Sequence, residues 1–114
     1  MKFVFIISSP PFGDPLLKIS LEYAKASVSA GHETSIFLYG DGVYNSLNGI
    51  NPANDEFNPA TILKKISEKS GIYYCETAAM RRGVNGSNVS DYAKCSTLGE
   101  LSHLISSADR VIYL

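Results

Sequence analysis

The sequence of 114 residues has little of several features that would announce a class. It has no excess of either charge: ten Lys and Arg against eleven Asp and Glu leave a formal net charge of -1. The two signs are interspersed, so there is no basic field for nucleic acid and no long acidic tail. Nucleic acid is therefore not an expected direct partner. There is no long hydrophobic run either. The strongest apolar stretch near the N-terminus, Phe3 to Ile7, is too short to cross a membrane, and no small-residue cleavage site follows it. The reading is a soluble cytoplasmic protein with no membrane partner.

Cysteine is scarce. Cys75 and Cys95 cannot staple a disulfide-dense secreted scaffold, and their separation matches no zinc spacing, which fits a reducing compartment. His32 and His103 stand apart from each other and from the cysteines, so no metal site is announced. No Ser, His and acid set is visible as a triad, and papain-like and caspase-like surroundings of a cysteine are missing. The first loop, "SSPPFGDP", holds one glycine and two prolines and is neither a Walker sequence nor a dinucleotide fingerprint.

What is present reads as one α/β domain spanning residues 1–114, with 45% hydrophobic residues to enclose a core. "KFVFIIS" is a buried strand. Asp14 then caps and Pro15 opens a helix whose Leu17, Leu21, Ala24 and Val28 share a face, and Gly31 ends it. "TSIFLYG" is a second strand, followed by a long Gly-, Asn- and Pro-rich loop holding a short helical turn. Asn58 and Pro59 start a helix with Ile62, Leu63 and Ile66 inward, and "IYYC" is a third strand. The segment "VNGSNVSDYAKCS" carries little pattern and is expected to run over the surface. Thr97 and Glu100 form a capping-box signature for a last helix to about Ser107, and "DRVIYL" closes the chain as a strand. Near-continuous apolar strands alternating with helices predict a three-layer domain: a parallel sheet of about five strands, flavodoxin-like, covered by helices on both faces.

In such sheets reactive groups collect beyond the carboxyl ends of the strands, and Cys75 lies at one such end. An unpaired cysteine is also a common small core residue. Against that reading stands the local chemistry. A helix start or nearby cations lower a cysteine pKa from about 8.5 toward neutrality or below. A short helix over Thr77 to Arg82 would supply unpaired N–H groups, and Arg81 and Arg82 lie within about two turns of Cys75. Glu76 works in the opposite direction. A thiol without a dedicated base suits group acceptance and hand-over better than hydrolysis, and a persulfide carrier needs only exchange between sulfur atoms.

The segments "SSPPFGD", "GHETSIFLYGDGVYN", "NPANDEF", "CETAAMRRGV" and "DRVIYL" together resemble the DsrE/DsrF-like family, and within it the TusD-type sulfur carriers, over nearly the whole chain. The resemblance implies a sulfurtransferase whose Cys75 holds a persulfide during sulfur relay for tRNA thiolation or sulfur oxidation. No cofactor is implied. Donor and acceptor proteins are the implied partners, within a homotrimer, a homohexamer or a hetero-oligomer of sister subunits. Arg81, Arg82 and Thr77 are expected to support the thiolate, and Tyr44, Asn45 and Gly42 to line its rim. Two features depart from the family pattern: the segment between Gly83 and Thr97 is shorter, and Glu76 replaces an apolar residue. Cys95 matches no motif position. The rival readings are a structural or regulatory subunit with an inert Cys75 and a small-ligand-binding module.

Overall fold

The computed structural model describes residues 1–114. In chain order its elements are β1 (Lys2–Ile7), α1 (Pro15–Ser29), β2 (Glu33–Leu38), a 3₁₀ segment (Gly40–Ser46), α2 (Pro59–Ser67), β3 (Gly71–Cys75), α3 (Glu76–Arg81), β4 (Lys94–Ser96), α4 (Leu98–Ser107) and β5 (Arg110–Tyr113). The strands form one sheet in the order β4-β3-β2-β1-β5, and every pairing is parallel. Stepping from β1 through β2 to β3 with right-handed crossovers puts α1 and α2 on one face. The return from β4 across to β5 puts α4 on the other.

The helices begin where side-chain acceptors meet free N–H groups. Asp14 accepts from the Leu16 N–H at 2.9 Å, Asn58 from Ala60 at 3.0 Å, and Thr97 Oγ1 from Glu100 at 3.2 Å. Pro15 and Pro59 occupy first-turn positions where no N–H bond is lost. Of the capping box only the Thr97 half forms, because the Glu100 carboxylate instead accepts from the Ser96 hydroxyl at 2.9 Å. The core lies on both sides of β1 and β2, where Val4 to Ile7 and Ile36 to Leu38 are buried without interruption. Leu17 and Leu21 press α1 onto it, each contributing about 1.5–3 kcal/mol.

Two expectations need adjustment. The patternless stretch before Thr97 is not all surface chain: Lys94–Ser96 pairs with β3 as an edge strand. The short helix after Cys75 covers Glu76–Arg81, one residue earlier than expected at each end.

Candidate functional site around Cys75

Cys75 is the last residue of β3 and the cap of α3, so one backbone step carries the chain from the sheet into the short helix. Its thiol is free, and the residue is only 2% exposed in the single chain. Strand alternation decides which way it faces. Ser27 and Thr34 share a hydrogen bond of 2.8 Å, which turns Thr34 toward α1. Counting along β2 and across its register with β3 places Ile72 and Tyr74 on that face and Tyr73 and Cys75 on the α4 face.

The residues after Cys75 end α3 abruptly. Val84 N–H donates to Ala79 O at 2.9 Å and Gly83 N–H to Met80 O at 3.4 Å, the paired bonds of a Schellman motif. Gly83 supplies the left-handed residue, with φ of 72°, and buried Val84 supplies the apolar contact. Arg82 folds back: one guanidinium nitrogen donates to Ala78 O at 3.0 Å, and Nε lies 2.9 Å from Asp41 Oδ1. Arg82 is thus engaged with the 3₁₀ segment and its own helix. Arg81 is exposed and forms no salt bridge, and Thr77 is exposed on the first turn.

The rim that follows β2 is built by close approach and buried polar contacts. A Cβ at Gly42 would collide with the Ile7 carbonyl oxygen, so only glycine lets this segment lie against the end of β1. Asn45 is fully buried; its Nδ2 donates to Ser9 O at 2.9 Å and to Gly42 O at 3.1 Å, while its Oδ1 has no partner. Tyr92 donates to Asn45 O at 2.6 Å, and burial pushes its phenol pKa up. Ser90 N–H to Ser46 O at 2.7 Å and Asn48 N–H to Asn88 O at 2.9 Å fasten the 84–93 loop to the same segment. Tyr44 is half-buried against the core. The structure therefore gathers Gly42, Asn45, Asp41 and Arg82 into one braced rim. Sequence reasoning missed Asp41, Ser90 and Tyr92, whose partners lie forty or more residues away.

Cys95 pairs in register with Tyr74, not with Cys75. Its side chain consequently points to the face opposite Cys75, and a bridge between them would need Cβ vectors that point apart. Cys95 is exposed, and its Sγ–H donates to Glu76 Oε2 at 3.4 Å. Partial desolvation raises this thiol's pKa, and the Glu76 bond and charge raise it further against the opposing Tyr74 hydroxyl. Glu76 thus spends its carboxylate on the second cysteine.

The chain matches the DsrE/DsrF-like family over residues 1–114. It belongs to that family. It is similar to the "Sulfurtransferase TusD" of Cronobacter sakazakii (strain ATCC BAA-894), 31% identical over 126 residues with 98% of each chain covered. The "Sulfurtransferase TusD" of Enterobacter sp. (strain 638) is 30% identical with the same coverage. The crystal structure of the ychN protein from E. coli superposes with a TM-score of 0.92 at 27% identity, covering 99% of this chain and 98% of that one. A protein of unknown function from Methanobacterium thermoautotrophicum shares the fold at 13% identity and a TM-score of 0.76, covering 99% of this chain and 98% of that one.

Within this DsrE/DsrF-like chain a cleft of about 510 Å³ between α2 and residues 89–92 lies on the α2 side of the sheet. A cleft of about 410 Å³ lies on the Cys75 face instead, lined by Tyr73, Ser96, Glu100 and His103 among others. Ser96 is the register partner of Cys75. We give this second cleft the greater weight for chemistry at Cys75, because it shares the face of the sulfur. No three His, Cys, Asp or Glu side chains come together as a potential metal site.

Proposed function

We propose that the protein is a sulfurtransferase of sulfur relay, with Cys75 as the atom that carries the cargo. One observation carries the reading: the motif thiol stands free at the junction of β3 and α3 in a chain of this family. The relatives named sulfurtransferase support it at about 30% identity over nearly the whole chain. In the transfer the Cys75 thiolate attacks the outer sulfur of a donor persulfide. A bond forms from Sγ to that sulfur, the donor S–S bond breaks, and the donor thiolate leaves with the electron pair. No net oxidation occurs, and hand-over to an acceptor thiolate repeats the exchange in reverse.

Arg81, in the last turn of α3 and with no salt bridge of its own, is the guanidinium we assign to support the charged sulfur; Thr77 sits on the first turn. Because Cys75 is buried in the single chain, loading requires the chain around it to open. Donor and acceptor are proteins of a relay in tRNA thiolation or sulfur oxidation, and the working form is an oligomer in the cytoplasm.

Peptide mass mapping after incubation with a persulfide donor tests this reading. One added sulfur is expected on the Cys75 peptide, and equal loading of a Cys75→Ser variant would end it. The burial of Cys75 favours a second reading, an inert structural or regulatory subunit of a similar assembly. Under it, native protein takes up no sulfur while unfolded protein does.

A further inference from the structure

Glu76 and Cys95, which the sequence sets outside the family motif, touch each other. The Cys95 Sγ–H donates to Glu76 Oε2 at 3.4 Å across 19 residues, and it is the one donor to that carboxylate. Glu76 is also the chain neighbour of Cys75 and the first residue of α3. A carboxylate on the sulfur's own side would disfavour the thiolate, and the burial of Cys75 would leave that charge poorly screened. The register draws it elsewhere. Cys95 pairs with Tyr74 and faces away from Cys75, so the carboxylate it holds is pulled toward the face of the sheet opposite the sulfur. No cation competes for it, because Glu76 takes part in neither salt bridge of the chain.

We propose that Cys95 is a positioning residue for sulfur transfer, a role that rests on Cys75 as the carrier: its S–H holds the Glu76 carboxylate away from Cys75 and so favours ionisation of the buried thiol. The two sulfurs never meet, and Glu76 alone joins them. The role needs only a hydrogen-bond donor at position 95, so serine serves and alanine does not. Tyr74 from β3 and Glu100 from α4 are the other titratable groups that act on Cys95. On the Cys75 face Glu100 and His103 line the cleft, while Arg81 and Arg82 stand at the end of α3, Arg82 paired with Asp41. All of these are unchanged in the variants below, so a difference between pH profiles reads Glu76 and Cys95.

Brief pulses of an isotope-coded alkylating reagent, followed as initial rates on the peptide that contains Cys75 alone, give its ionisation profile in the full chain. Cys95→Ala is expected to slow Cys75 about two- to fivefold near neutral pH and to move its profile to higher pH, because the released carboxylate then reaches the sulfur's side. Cys95→Ser should follow the wild type. Adding Glu76→Gln to Cys95→Ala should abolish the slowing, which mere loosening of the β4 edge would not do. Initial rates of sulfur loading from a persulfide donor should fall in the same order. A wild type that loads Cys75 while Cys95→Ala keeps the wild-type profile would overturn this role and leave the carrier intact. So would slowing that persists with Glu76→Gln. A wild type whose Cys75 takes up no sulfur would overturn the carrier and this role together.

Discussion

Arg82 Nε and Asp41 Oδ1 lie 2.9 Å apart across a sequence separation of 41 residues, joining the end of α3 to the 3₁₀ segment beyond β2. Cys75, itself buried, caps the start of the same short helix. The ion pair is a clasp between α3 and the 3₁₀ segment, and it leaves Arg82 engaged where the neighbouring Arg81 forms no salt bridge.

Opening that clasp should expose the sulfur. Asp41→Asn is expected to raise the rate at which native Cys75 is alkylated by about three- to tenfold. Its cost in stability should stay below about 1 kcal/mol, because both partners are partly solvated. Timed labelling read on the Cys75 peptide, with denaturant midpoints alongside, checks both. An unchanged rate would show that another contact guards the thiol.

The rim depends on a glycine that no other residue replaces. Gly42→Ala drives a methyl into the Ile7 carbonyl and should cost about 1–3 kcal/mol. Gly86→Ala, whose Cβ meets nothing within 4 Å, should stay within about 0.5 kcal/mol. Equal midpoints for the two variants would contradict the close approach.

Asn45 is fixed by two carbonyl acceptors. Asn45→Asp replaces its donor with an acceptor facing Ser9 O and Gly42 O, and should destabilise by about 2 kcal/mol or more. Asn45→Ala, which removes the bonds without setting oxygen against oxygen, should cost less. Thermal or denaturant unfolding of the pair checks the order, and the reverse order would show the amide to be oriented otherwise.

The two cysteines should behave as strangers. Mild oxidation is expected to yield no bond between Cys75 and Cys95, because the register turns them to opposite faces. Cys95 should be labelled first in the native protein, but only at higher pH than an ordinary thiol. Desolvation and the Glu76 carboxylate both favour its protonated form, so less thiolate is present at a given pH. Glu76→Gln removes the negative charge and should move the labelling profile to lower pH. A profile that does not move would remove Glu76 from the account.

Much of this was legible in the residues. The apolar runs ending at Ile7, Leu38 and Cys75 read as buried parallel strands, and Asp14, Asn58 and Thr97 announced their helices through cap chemistry. β4 was not legible, because Lys94, Cys95 and Ser96 have no apolar alternation and become a strand only by pairing with β3. The end of α3 carried a readable signal in Gly83 followed by apolar Val84, the sequence of a Schellman stop. The position of Cys75 at a strand end followed from local pattern. Its burial did not, and neither did the rim, whose bonds from Asn45 to Ser9, from Arg82 to Asp41 and from Tyr92 to Asn45 each join residues 36 or more apart.

The account rests on Cys75 as the carrier of sulfane sulfur, and cyanolysis tests it most directly. Cyanide takes the outer sulfur from a persulfide, leaving the thiolate and thiocyanate. After treatment with a persulfide donor and removal of the excess, the wild type and a Cys95→Ser variant should each release about one thiocyanate per chain, and Cys75→Ser almost none. Thiocyanate that survives Cys75→Ser and disappears with Cys95→Ser would assign the cargo to the other face of the sheet and contradict the account.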